Sequence, residues 1–532
     1  MYLTISSILV LITKCLSAPH IVIILADDLG WNDVSFHGSD QFQTPNIDAL
    51  AYSGVILQDY YSQPICTPAR AALLTGRHPI SNGMQHDVIY APQPWGLPLE
   101  DRLLPQYLRS EGYVSRAVGK WHLGFYKADY TPTRRGFDSH YGTWLGHQNH
   151  FTYMTDDNHP GYDLHRGLNV SWDGRNTFSA DLFTREAESV IQDHDVSKPL
   201  FLYLSHTAPH APLQAPRDAV DSVKHIAERK RRIYAAMVTK VDESVGKVME
   251  AMKSKSMLNN TIILFLSDNG GATNNYNGNA ASNWPLKGGK DTLWEGGVRS
   301  VGVIWSPLLK STPRVHRGLV NVQDWLPTLL EAAGVGNQTL AHSQLDGVSQ
   351  WSALNNQSDP PYTTMLHNID PIRNIAAVRD GEWKLVVGRV HGGKYDGWFG
   401  RVTSNLQYNM SQVRSSLVGQ AVQTTPFSVP DDSVVLRLRN EATVHCTKTR
   451  GKKSKKDKCR SMRAPCLFNI LADPCEQKNM ALRNPDVVTR LTHLLKGFHH
   501  VKPCNKPRDP RSYPNLWNGT WTTWGDFLSS NS

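Results

Sequence analysis

Four stretches of the chain repeat one pattern: a short apolar run that stops abruptly at polar residues. Residues 21–25 of HIVIILADDLG give way to Asp27 and Asp28, and residues 114–118 of GYVSRAVGKWHLG to Lys120 and His122. Residues 200–204 of PLFLYLSHTAPH lead to His206 and His210, and residues 262–266 of TIILFLSDNGG to Asp268 and Asn269. Runs of this length read as strands. The first and last are apolar at every position, as in strands buried on both faces. Helical patterns lie between them. Residues 225–253 put Ile233, Met237, Val241, Val245, Val248 and Met252 on one stripe, and residues 324–334 read as a short helix stopped by Gly334. This alternation predicts an α/β fold with a large, mixed but mainly parallel sheet flanked by helices. Ligands of such sheets sit outside the carboxyl ends of the strands. If the four strands run the same way, their polar tips face one crevice.

After about residue 370 the texture changes. AAVRDGEWKLVVG reads as a β-hairpin turning at Asp380–Gly381. Residues 391–435, rich in Gly, Ser, Gln and Asn, read as an irregular insertion, and KKSKKDK at 452–458 as a basic run. A strand, a turn and a helix follow. The expected organisation is a leader at 1–18, a large domain at 19–370, and a smaller α+β domain at 371–532 built on an antiparallel sheet plus helix.

Composition narrows the setting. The chain has 532 residues, 40% hydrophobic and 19% charged, which suits a large folded core. The net charge of +9 favours anionic partners, but no basic stripe interleaved with aromatics points to nucleic acid. The apolar N-terminal run is too short to span a bilayer and ends at Ser17 and Ala18 like a signal-peptidase site. No later segment is apolar enough for a membrane anchor. Sequons at Asn169, Asn259, Asn337, Asn356, Asn409 and Asn518 suggest N-glycans. Cys446, Cys459, Cys466, Cys475 and Cys504 cluster near the C-terminus and cannot all pair with one another, and their connectivity is not legible. The secretory pathway, ending in the lysosome or outside the cell, is the expected location.

The strand tips carry the candidate chemistry. Asp27, Asp28, Asp268 and Asn269 are hard oxygen donors suited to Ca²⁺ or Mg²⁺ rather than zinc. One such pair would more simply make a turn; two pairs at buried strand ends favour a cation. In QPICTPARAALLTGR, Thr67 reads as an N-cap, Pro68 as the first helical position and Gly76 as the stop. Cys66 then stands at a helix N-terminus, which attracts anions, with Arg70 near the same face. In isolation this is a capped helix with an inert thiol. Lys120 and His122 would face one side at strand spacing. His206 or His210, and Lys287 or Lys290, could complete a cationic crevice around a metal. Such a crevice suits a sulfate or phosphate ester.

CTPAR resembles the C-x-P-x-R signature of the type I sulfatases, and LLTGR is similar to its companion motif. ADDLGWNDVSFHG, TPNIDALA, VGKWHLGFY, YTPTRRGFDSHYG, HAPLQAP, SDNGG, WPLKGGK, LWEGGVR and DWLPTLL extend the resemblance over most of the chain. Within that family it looks closest to the arylsulfatase B group, the N-acetylgalactosamine-4-sulfatases. Ala69 stands where the family usually has serine. The resemblance implies an alkaline-phosphatase-like fold and one Ca²⁺ held by Asp27, Asp28, Asp268, Asn269 and modified Cys66. It also implies formylglycine made from Cys66 by a formylglycine-generating enzyme. Arg70 would hold the hydrated aldehyde, Lys120 and Lys290 the sulfate oxygens. His122 would take a proton from the hydrate, and His210 or Lys290 would protonate the leaving alcohol. The implied substrates are aryl sulfates and sulfated saccharides, such as glycosaminoglycan N-acetylgalactosamine 4-sulfate. Two other readings are a phosphoester hydrolase of the same fold and a non-catalytic binder of sulfated polymers using residues 452–458.

Overall fold

The computed structural model describes residues 18–155, 158–336, 344–356, 358–400, 406–423, 425, 427–446 and 459–528. The leader (apart from Ala18), the Asn337 sequon and the 452–458 run lie outside them. The large sheet contains β1 (His20–Ala26), β2 (Val55–Leu57), β3 (Val114–Gly119), β4 (Ser139–Gly142), β5 (Leu200–Ser205), β6 (Thr261–Ser267), β7 (Gly302–Trp305) and β8 (Arg314–His316). Their spatial order is β8-β2-β7-β6-β1-β5-β3-β4, and a short hairpin at 165–170 extends the β4 edge. All eight run one way except β7, which is antiparallel to both neighbours.

Six helices matter for the site: α1 (Pro45–Ser53), α2 (Cys66–Thr75), α3 (Ser179–Gln192), α4 (Arg229–Ser254), α5 (Trp325–Ala332) and α6 (Asp432–Ala442). Val22 and Ile24 of β1 pack in one core with α1, α3 and α4. Ile21, Ile23 and Leu25 pack in the opposite core with α2 and α5. Apolar side chains are therefore needed at every position of the central strands. The α4 stripe is buried as its spacing predicts, with Ile233 at its margin.

A second, antiparallel sheet is formed by β9 (Thr364–Asp370), β10 (Ile375–Asp380), β11 (Trp383–Val387) and β12 (Cys466–Asn469). The helix α7 (Pro485–Gly497) covers it through Leu491. This sheet takes in residues 364–370, which the sequence reading assigned to the large domain. The hairpin turns at Gly381, whose φ of +57° suits glycine. Cys446 pairs with Cys475 and Cys459 with Cys466, and Cys504 is left as a free thiol.

The described part of the segment 391–435 is not wholly irregular. It carries short helices at Met410–Ser415 and Leu417–Val422 and the start of α6. Val413, Val418, Val422, Val435 and Leu438 join the core of α1 and α4, not the small sheet. The polar residues that suggested a loop are in part helix caps. Asn409 accepts from the backbone N–H groups of Ser411 and Gln412, and Ser416 from that of Gly419. Among the described residues, no helix is long and apolar enough to cross a membrane.

Candidate active site

The four central strands β6, β1, β5 and β3 are neighbours and end level. Leu25 is in register with Ser205 and Leu266, and Gly119 with Ser205. Each chain then continues past the sheet edge. The Asp27 N–H donates to the Ala208 carbonyl and the Asp268 N–H to that of Ala26. At Gly119 a Cβ would lie 1.9 Å from the Ser205 carbonyl oxygen, and φ is +98°, so glycine alone allows this exit. Asp28 and His122 both hold left-handed backbone, φ 66° and 60°. Such conformations are sparse outside glycine and gather at functional sites. Lys120 and His122 therefore reach the crevice from a turn, not through strand alternation.

The helix α2 starts at Cys66, one to two residues earlier than its sequence suggests. Thr67 is not the cap. Its hydroxyl donates to the His122 carbonyl at 3.0 Å and accepts from the Ile89 N–H, tying the helix start to the β3 tip. Gly76 stops the helix at φ 66° as predicted.

The core of the site is a closed set of charges. Lys120 Nζ lies 2.6 Å from Asp27 Oδ2, and Lys290 Nζ 2.6 Å from Asp28 Oδ1. Arg70 forks onto Asp268 Oδ2 with Nη2 at 2.7 Å and Nε at 3.2 Å, and stands 3.6 Å from Asp27. Three carboxylates and three cations are thus held together away from water. Burial pushes the Asp27 carboxyl up, but Lys120, Arg70 and Lys290 outweigh it and hold it below the usual range. For Asp28 burial wins, helped by Asp27 and Asp268 against Lys290, and its pKa rises to about 6.

Cys66 is buried, with Sγ 3.6 Å from Asp27 Oδ1. A thiol at a helix start is usually acidified; here burial pushes it up to about 12, against the pull of Lys120 and Lys290. At physiological pH it stays a thiol, and the thiol is a poor nucleophile.

Ligand atoms of Asp27, Asp28, Cys66 and His210 all lie within 4.8 Å of one another. Asn269 donates its amide N–H to Asp28 Oδ1 at 2.7 Å and leaves its Oδ1 buried without a partner. This oxygen-rich donor set with one orphaned acceptor fits a hard divalent cation. Asp268 is turned towards Arg70, with Oδ1 accepting from the Asp28 N–H.

Both site histidines are neutral. Burial first, then the surrounding cations, drive His122 and His210 well below 6.5. His122 Nε2 lies 3.2 Å from the Ile89 carbonyl, which can only accept, so the proton sits on Nε2. Its Nδ1 is a buried lone pair without a partner. The ring has room only because residue 146 is glycine; a Cβ there would stand 2.0 Å from it. His210 Nδ1 donates to the Ala211 carbonyl at 2.6 Å, and Nε2 lies 3.6 Å from Asp28. His206 is directed away, onto Ser244. Lys287 is likewise elsewhere, stacked on the Trp294 ring at 3.2 Å.

These groups floor a cavity of about 550 Å³, lined by Cys66, His122, His210 and Lys290 among others. Its wall holds residues that the sequence reading missed. Arg373 bridges Asp291 at 2.5 Å and Asp87 at 2.9 Å, and His391 Nε2 lies 2.7 Å from Asp291. Asp291 directly follows Lys290 in the glycine-rich loop, a signal that could have found it. Arg373 and His391 come from beyond residue 370 and carry no local motif.

A family model described as Sulfatase matches residues 19–335. The chain is 39% identical to arylsulfatase J of Mus musculus over 96% of its own length and 80% of that protein. It is 33% identical to N-acetylgalactosamine-6-sulfatase of Homo sapiens over 60% of this chain and 62% of that one. Among solved structures it is similar to Ps i-CgsB in complex with k-i-k-neocarrahexaose. The TM-score is 0.70 at 26% identity, covering 94% of this chain and 98% of that one.

Proposed function

The chain belongs to the sulfatase family and is a sulfuric ester hydrolase; from that premise we propose that it is calcium-dependent and works through formylglycine made from Cys66. We propose sulfated sugars as its substrates, with glycosaminoglycan N-acetylgalactosamine 4-sulfate as the leading candidate. The observation that carries this reading is the Cys66 thiol. It stands on the floor of a cationic crevice yet is pushed to about 12, so it is ill suited to act as cysteine. Because the whole CTPAR stretch is buried, the modifying enzyme would have to act before the chain folds.

Asp27, Asp28, Asp268, Asn269 and the modified residue 66 would hold the calcium. When present, the ion supplies Lewis acidity and the hydrated aldehyde supplies a nucleophilic hydroxyl. The chain's own residues do the rest. Arg70 fixes Asp268 and the start of α2. Lys120 and Lys290 bring positive charge to the sulfate oxygens. With three acids against three bases, a divalent cation would leave the site at about +2, a positive excess that favours an anionic ester group. His122, neutral and with its Nδ1 lone pair free, is suited to take a proton. His210 carries its proton on Nδ1, held by Ala211, so Lys290 is the better donor to the leaving oxygen.

The secretory pathway, ending in the lysosome or outside the cell, is the proposed location. Two disulfides support it, and so do sequon asparagines 169, 259, 356, 409 and 518, all exposed. The test is mass spectrometry of the Cys66 peptide from active protein made in secretory cells. The aldehyde is expected there; unmodified cysteine in fully active material overturns the mechanism. A panel of 4- and 6-sulfated saccharides assayed alongside an aryl sulfate tests the substrate.

A further inference from the structure

The cavity is not uniform in charge. On one wall Asp87, Asp291 and Asp370 gather around the single guanidinium of Arg373. Two histidines complete the group: His391 on Asp291 and His86 on Asp370. That wall offers acceptors to sugar hydroxyls and repels further negative charge. The rim carries the reverse. Arg508 lines the same cavity and is exposed. Its guanidinium lies over the Tyr90 ring, 5.3 Å from the centroid, and Tyr90 itself is exposed at the cavity. Among the described residues Arg508 has no hydrogen bond or ion pair. The nearby carboxylates are engaged elsewhere: Asp509 holds Arg511 and Asp87 holds Arg373.

The position is fixed by backbone. The Gln93 side chain donates to the Lys506 carbonyl at 2.6 Å, and the Asp509 N–H donates to the Pro92 carbonyl at 2.8 Å. Arg508 is held between these two pins against the loop that carries Tyr90. An aromatic face beside an unpaired arginine suits a sugar ring bearing an anion.

We propose that Arg508 and Tyr90 form a specificity subsite that binds the carboxylate of the uronic sugar next to the sulfated one. The proposal rests on the sulfated-sugar reading above. The scissile sulfate enters the cationic floor, the hydroxyls of its ring face the Asp87–Arg373–Asp291 wall, and the neighbouring carboxylate meets Arg508.

The test compares 4- and 6-sulfated, uronate-containing disaccharides with their carboxyl-reduced forms, with 4-nitrophenyl sulfate as reference. Wild-type enzyme should favour the carboxylate form of the disaccharide it turns over by about tenfold or more in kcat/KM, the value of one charge-assisted contact. Arg508→Ala should erase that preference, and Arg508→Lys should keep part of it. The proposal is overturned if wild type shows no preference, if Arg508→Ala retains it, or if 4-nitrophenyl sulfate is hydrolysed while every disaccharide is refused. Failure to hydrolyse any sulfate ester would instead overturn the functional reading beneath it.

Discussion

Two buried clusters of three carboxylates and three cations share one segment of chain. The first joins Asp27, Asp28 and Asp268 to Arg70, Lys120 and Lys290. The second joins Asp59, Glu295 and Glu476 to Arg299, Arg379 and Lys384. Residues 290–299 contribute to both. Backbone strain does not tell them apart, since Glu476 has a φ of 50° much as Asp28 has 66°. Access does. The first cluster opens on the cavity through Lys290, beside the lone pairs of Asn269 and His122. No residue of the second lines that cavity. Two of its members stand on the small sheet, Arg379 on β10 and Lys384 on β11, and pair with Asp59 and Glu295 of the large part, so it ties the small sheet to that part. A buried charge cluster is a functional candidate when it is left open to a ligand, and a staple when it closes on itself.

The largest expected effect is at residue 66, the proposed nucleophile in its formylglycine form. Cys66→Ser should lower kcat by about 10³-fold or more, as removal of a nucleophile does, with thermal unfolding little changed; full activity would remove Cys66 from the first cluster's chemistry. Next, Lys120→Ala should cost about 10²- to 10³-fold in kcat, the scale of one preorganised charge. Its stability loss in calcium should be smaller than that of Lys384→Met, because Asp27 keeps Arg70 and would keep the proposed calcium ion. Lys384→Met leaves Glu295 and Glu476 without their shared cation and should destabilise by about 3–5 kcal/mol, read by chemical denaturation, while the folded fraction keeps its specific activity. If Lys384→Met instead lowered kcat without unfolding, the distinction between the clusters would fail.

The smallest effect concerns pH. Burial lowers His20, His78 and His316 to about 4, and His37, His140 and His206 to about 3. Unfolded histidine takes its proton near 6.5. Between these values the unfolded chain binds more protons, so stability is lost as pH falls from about 6.5 towards 4. Asp48, Asp242, Asp324 and Glu476, pushed up to about 6 or 7, work the other way but are fewer. The thermal midpoint in calcium should fall between pH 7 and pH 5; a rise would mean that the buried carboxyls dominate.

The alternation of apolar runs made the large sheet and its crevice legible, because strands buried on both faces can carry nothing but apolar residues. The same signal placed Asp27, Asp28, Lys120, His122, His210, Asp268 and Asn269 at strand tips. It failed where packing is discontinuous. The helices of 410–442 were hidden because two of them are only six residues long and their caps look like loop residues. Thr67 looked like a cap because capping and a tertiary bond to the His122 carbonyl use the same hydroxyl.

The sequence by itself determined which side chains could meet: local periodicity sets the strands, and each strand carries its polar tip with it. Tertiary structure alone decided which carboxylate each cation would hold, the uncharged state of the Cys66 thiol, and the wall and rim of Asp87, Arg373, His391 and Arg508. Those depend on burial and on contacts between residues hundreds apart, and distance along the chain carries no record of either.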